Sequence, residues 1–104
     1  MKKTMKFGVL VADKKAEVHE HEIPEIQDDE VLIHNKSCNI CTHDYQQWLG
    51  VRPQQPYPMA WGHEQSGIVV DMGKNVKHLS VRDQVVDNIY RPCLECANCR
   101  KGLN

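Results

Sequence analysis

No stretch of this chain stays apolar for the roughly 20 residues that a membrane-spanning helix needs; the longest apolar runs cover only residues 7–12 and 67–70. The expectation is a chain not embedded in a membrane. Lys2, Lys3 and Lys6 precede the first of these runs, but Asp13-Lys14-Lys15 restores charge before a signal-peptide apolar region can form, so a cytoplasmic location is expected. An excess of one charge is lacking too. Thirteen basic against fourteen acidic residues leave no field to attract nucleic acid or an anionic membrane. Internal repeats, low-complexity tracts and linkers are absent. The six glycines contain no Gly-x-Gly-x-x-Gly and there is no βαβ stretch to present one, so these residues are not expected to bind a dinucleotide by themselves. A length of 104 residues suits one domain, residues 1–104, with an adequate but not generous core.

Cysteine is what the chain does have. Five cysteines, an odd number at close spacing, read as metal ligands kept reduced rather than as a disulfide framework. Cys41-Thr42-His43-Asp44 and, downstream, Gly62-His63-Glu64 offer a thiolate, an imidazole and carboxylates that can converge on one ion. Cys41 and His63 suit a catalytic zinc, because thiolate lowers the net charge while neutral imidazole preserves Lewis acidity. Glu64 is either a third ligand or sits just behind the metal. Asp44 is placed to accept a hydrogen bond from the second nitrogen of His63 and fix its tautomer. The competing reading is a buried thiol and a turn histidine with no metal. Cys93, Cys96 and Cys99 present three thiolates at the spacing of a structural zinc lobe, with three free thiols as the alternative.

Apolar alternation places strands at residues 5–12, 16–23, 31–35 and 68–72, with further short β structure over 76–86. The second reads as an edge strand that ends at Pro24. A short helix runs from a Thr42 cap to Leu49 and stops at Gly50, its buried stripe being Tyr45, Trp48 and Leu49. Pro53, Pro56 and Pro58 make the next stretch an irregular loop. The fold class is mainly β, a partly open barrel with one or two short helices and a cysteine-rich lobe.

Motifs in order along the chain carry a resemblance: Glu30-Val31-Leu32-Ile33, Cys41-x-x-Asp44, Gly62-His63-Glu64-x-x-Gly67-Ile68-Val69, Gly73-x-Asn75-Val76, Asp83-x-Val85-Val86 and Cys93-x-x-Cys96-x-x-Cys99-x-x-Gly102. The chain resembles the N-terminal GroES-like catalytic domain of the zinc-dependent medium-chain alcohol and polyol dehydrogenases. The resemblance implies an oxidoreductase fragment with a catalytic zinc on Cys41, His63 and a residue from elsewhere, and Glu64 ligating or close behind. In that family zinc activates the alcohol as an alkoxide and hydride passes to NAD(P). A serine or threonine usually begins the proton relay where this chain has His43, which is therefore read as a relay or as facing solvent. The family's structural zinc takes four cysteines; Cys93, Cys96 and Cys99 match three, and the fourth would fall beyond Asn104. Arg82 stands where glycine is usual, at a cost of about 1 kcal/mol or more if the turn needs a positive φ.

The expectation is thus a truncated catalytic domain, inactive alone, whose small alcohol or polyol substrate and NAD(P) belong to a longer form. The alternative is a noncatalytic metal-binding or protein-interaction β-barrel module that self-associates through exposed surfaces. A zinc-ribbon nucleic-acid binder lacks a second knuckle and a basic face. His19, His21, His34 and His78 lack ligand spacing and read as surface or barrel residues.

Overall fold

The computed structural model describes residues 3–51 and 56–103. Strand β1 (Thr4–Ala12) turns at Asp13-Lys14 into β2 (Lys15–Glu22), and β4 (Met59–Ala60) pairs with the other side of β1. Both pairings are antiparallel, giving a sheet of order β2-β1-β4 with β2 at an edge. Helix α1 (Thr42–Leu49) follows β3 (Val31–Cys38), and β5 (Gln65–Met72) and β6 (Gln84–Val86) complete a second antiparallel sheet of order β3-β5-β6. Helix α2 (Ala97–Arg100) forms in the cysteine lobe. The two sheets do not close into a barrel, which agrees with the partly open form expected.

The core is small. Val9 and Leu10 of β1 point to opposite faces and both are buried, as is Val69 of β5. Gly67 explains how β3 and β5 approach so closely: a Cβ there would collide with the His34 carbonyl oxygen and the Ile33 side chain. The β3–β5 pairing runs from Val31↔Met72 to Cys38↔Gln65. It delivers the start of Cys38–Cys41 and the His63-Glu64 pair to the same end of the sheet.

Several expectations shift. The N-cap of α1 is Cys41, one residue earlier than the Thr42 cap read from sequence. Gly50 does stop the helix, at φ 75, with its N–H on Gln47 and that of Val51 on Gln46. The stripe is not buried as expected, since Tyr45 is 54% exposed and stacks on Trp48 with ring centroids 6.0 Å apart. The residue that α1 buries is Asp44. Of the β structure expected over 76–86 only Gln84–Val86 forms, because residues 73–83 spend their backbone groups on turns such as Val76 N–H to Gly73 and Asp83 N–H to Ser80. Pro53 lies outside the described residues. Arg82 adopts φ 80, so the turn does need the left-handed region that glycine fills without strain. No helix among the described residues is long and apolar enough to cross a membrane.

Candidate metal centre

Cys41 is half-buried at the N-cap of α1, where the chain leaves β3. Its backbone N–H donates to Asp44 Oδ2 at 3.0 Å, so the carboxylate three residues on closes the first turn and fixes the cysteine. The other carboxylate oxygen faces the opposite way. Asp44 Oδ1 stands 3.5 Å from His63 Nδ1, an ion-pair distance without hydrogen-bond geometry, and is buried with no donor. Asp44 as a whole is only 5% exposed. A carboxylate oxygen so buried and unpaired costs free energy unless positive charge stands nearby.

The chain brings His63 to that oxygen through Gly62, whose φ of 105 lets the loop turn out of β4 before β5 begins at Gln65. One donor atom each from Cys41, His63 and Glu64 lies within 4.8 Å of the others. The three residues read from sequence as one ligand set are therefore together in space. His43 is half-buried with its ring edge-on to that of His63, centroids 5.8 Å apart and planes at 85°. It faces the site rather than open solvent. A donor set of thiolate, imidazole and carboxylate, backed by an unpaired buried carboxylate oxygen, suits a dication such as zinc.

A groove of about 670 Å³ opens beside His63 and Glu64. Its lining combines the polar residues Ser37, Asn39, Ser66 and Asn88 with the apolar Val86 and Ile89, while Gln65 is held by Asp87 through a backbone bond of 3.3 Å and a side-chain bond of 3.1 Å. Sequence reasoning did not find this groove, because Asp87 and Asn88 reach it only through the β5–β6 pairing.

In the lobe the sulfurs of Cys93, Cys96 and Cys99 also lie within 4.8 Å of one another. Cys93 Sγ and Cys99 Sγ are 3.8 Å apart. That matches the edge of a tetrahedron of thiolates on zinc, about 3.8 Å for Zn–S bonds of about 2.3 Å. The Cys96 N–H donates to Cys93 Sγ at 3.3 Å and the Cys99 N–H to Cys96 Sγ at 3.4 Å. The backbone N–H groups of Glu95 and then Cys96, followed by the neighbouring thiols, bring the Cys93 thiol down to about 7. Among the described residues no fourth histidine, cysteine or carboxylate joins the cluster. Leu94 takes φ 64 in this knuckle, a conformation that a leucine adopts only under strain.

Two antiparallel three-stranded sheets with a thiolate–imidazole–carboxylate cluster at one end, and a three-thiolate lobe beyond β6, make this a β domain with two candidate metal sites. Over residues 27–104 the chain matches the family described as "Alcohol dehydrogenase GroES-like domain", and it belongs to that family. Its relatives include alcohol dehydrogenases, an L-threonine 3-dehydrogenase of Bacillus subtilis and acryloyl-coenzyme A reductases. An alcohol dehydrogenase of Geobacillus stearothermophilus is 39% identical over 101 residues, covering 94% of this chain and 30% of its own. The crystal structure of galactitol-1-phosphate dehydrogenase from Escherichia coli superposes with a TM-score of 0.84 at 34% identity, over 93% of this chain and 28% of that one. A structure from Sinorhizobium meliloti 1021, assigned as a zinc-binding dehydrogenase and bound to NADP, gives 0.81 at 30% identity over 97% of this chain and 29% of that one. The chain spans about three tenths of the length of the curated relatives it matches.

Proposed function

We propose that this chain is the metal-bearing, substrate-side domain of an NAD(P)-dependent alcohol or polyol dehydrogenase, incomplete and inactive without a nucleotide-binding domain. The observation that carries the reading is the convergence of Cys41, His63 and Glu64 within 4.8 Å, against a buried Asp44 oxygen that lacks a donor. Zinc held by Cys41 and His63, with Glu64 as ligand or close neighbour, would act as a Lewis acid on an alcohol or carbonyl oxygen. Asp44 orients both ligands at once, through the Cys41 N–H and through His63 Nδ1. With Nδ1 turned to Asp44, Nε2 is the nitrogen left to face the ion. His43, against the His63 ring, moves the substrate proton away from the site.

The adjoining groove supports a hydroxylated substrate, because Ser37, Asn39, Ser66 and Asn88 can match several hydroxyl groups. Cys93, Cys96 and Cys99 would supply three thiolate ligands to a second, structural zinc. Five free cysteines suit a reducing, cytoplasmic setting. Hydride acceptance then falls to residues beyond these 104.

Metal analysis of the purified chain tests this reading. Cys41→Ser and His63→Ala should each lose the same zinc equivalent, while Cys96→Ser loses a different one. Retention of the wild-type zinc content by both Cys41→Ser and His63→Ala would overturn it. In a full-length form, His43→Ser should shift the pH dependence of turnover while leaving zinc content intact, and an unchanged profile would remove the relay role.

A further inference from the structure

The peptide unit between Glu64 and Gln65 is bonded at both ends, each time by a residue outside the ligand set. On the β3 side, Asn39 N–H donates to the Glu64 carbonyl at 3.0 Å. On the β6 side the ladder with β5 stops at Ser66↔Val86, and the next opposed residues, Gln65 and Asp87, would exchange two main-chain bonds if the antiparallel pairing continued. They make one. Asp87 N–H donates to the Gln65 carbonyl at 3.3 Å, whereas Gln65 N–H donates to the Asp87 side chain, with Oδ1 at 3.3 Å. Gln65 Nε2 donates to Oδ2 at 3.1 Å, so one residue engages both carboxylate oxygens. Where the side chain takes over from the main chain, β6 leaves the sheet, and Asn88 and Ile89 run on along the groove. A planar peptide held through its oxygen and its N–H turns only by breaking one of those bonds. Glu64 itself is exposed, so this held peptide restrains its side chain more than packing does.

We propose that Asp87 is a positioning residue of the metal centre: its carboxylate locks the Glu64–Gln65 peptide and thereby keeps the Glu64 carboxylate within reach of the Cys41 and His63 donors. The inference rests on the metal reading given under the proposed function. Asp87 acts through Gln65 and not on the ion. Removing the carboxylate leaves Gln65 N–H and Nε2 without that acceptor and frees the peptide plane to rotate about Glu64. Glu64 moves first. Cys41 keeps its own anchor, the bond from its N–H to Asp44 Oδ2, and His63 keeps Asp44 Oδ1 beside Nδ1. The loss at the metal site is therefore the loss of the Glu64 arm, and it disappears where Glu64 has no carboxylate to place.

The test is a double-mutant cycle of Asp87→Ala with Glu64→Ala, read as zinc affinity by chelator competition for the ion that Cys41→Ser removes. Asp87→Ala alone should weaken that affinity about tenfold. In the Glu64→Ala background the same change should alter it by less than about twofold. The cobalt-loaded chain supplies a second readout, since its d–d bands report the ligands: Asp87→Ala should shift them toward those of Glu64→Ala, and Asp87→Asn, which keeps an oxygen for Gln65 N–H, should restore the wild-type bands. Gln65→Met removes only the Nε2 bond and keeps the cycle readable where Asp87→Ala does not fold. It should act in the same direction by a smaller factor, again only when Glu64 is present. Equal losses with and without Glu64 overturn the proposal while the metal centre stands, because a purely structural Asp87 weakens the site whatever occupies residue 64. Unchanged affinity in both Asp87→Ala and Gln65→Met overturns it as well. An ion that Cys41→Ser does not remove would overturn the metal reading first and this inference with it.

Discussion

Asp44 divides its two oxygens between two tasks, and a single substitution can separate them. Oδ2 accepts the Cys41 N–H at 3.0 Å and caps α1, while Oδ1 faces His63 Nδ1 at 3.5 Å from a buried position. Asp44→Asn keeps an acceptor for the cap but removes the charge behind His63. Zinc affinity at the Cys41 site should fall about 10–100-fold by chelator competition. Asp44→Ala should add the loss of the cap, about 1 kcal/mol in urea unfolding, which Asp44→Asn largely retains. Equal zinc affinity in Asp44→Asn and wild type would mean that the carboxylate serves only the helix. Cys93 offers a pH test at the same scale. In the metal-free chain its thiol is held near 7 by the Glu95 and Cys96 amides and by the Cys96 and Cys99 thiols. The thiolate is the nucleophile, so its alkylation rate should stay high at pH 8 and halve only as pH falls to about 7. An unperturbed thiol would already be losing reactivity below about 8.5. Mass-resolved iodoacetamide kinetics across about two pH units on either side of the expected midpoint would distinguish the two profiles.

At the scale of elements, legibility followed locality. Strands β1, β2, β3 and β5 were readable from alternation, and α1 from its Gly50 stop and its polar start, because each signal sits within a few residues. What was not readable depended on partners distant in sequence. β4 is two residues long and exists only because Val9 and Leu10 of β1 offer it a register. Tyr45 obeys helical spacing, yet no element covers it, so it stays exposed and stacks on Trp48. The strand-like run after residue 76 is consumed by turns until Gln84 meets Ile68. The ligand set was readable because Cys41 and the His63-Glu64 pair stand in short motifs just before α1 and β5, whereas the groove beside them was not, being assembled across strands. The close β3–β5 approach at Gly67 links fold to site. Gly67→Ala would drive a Cβ into the His34 carbonyl and Ile33. It should destabilise the chain by about 1–3 kcal/mol in urea unfolding. Because the same pairing ends at Cys38↔Gln65, zinc affinity at the Cys41 site should weaken in parallel. Unchanged affinity at reduced stability would show that the far end of the pairing holds independently.

At the scale of the molecule the chain is flat and open, 43 × 41 × 21 Å in extent. Its radius of gyration is 16.0 Å, against about 13 Å for a compact domain of this length. Its accessible surface is 8625 Å², where a compact monomer of 12.0 kDa exposes about 6,000 Å². The excess lies partly in apolar side chains such as Val86, Ile89, Tyr90 and Leu94, which run from β6 into the cysteine lobe. Val86 and Ile89 also line the groove beside His63, so the uncovered wall and the candidate site are continuous. A surface of that kind fits a domain that a further domain covers in use. It also sets a measurable quantity, since the unfolded chain exposes about 17,400 Å² and the slope of unfolding free energy against denaturant scales with the area that unfolding exposes. The urea m-value of the isolated chain should therefore be about three quarters of that for compact domains of equal length. Binding of a hydrophobic dye in the native baseline should be correspondingly strong. A full compact-domain m-value with little dye binding would mean that the chain closes over its apolar wall in solution, and the groove beside His63 would then be covered by the chain itself.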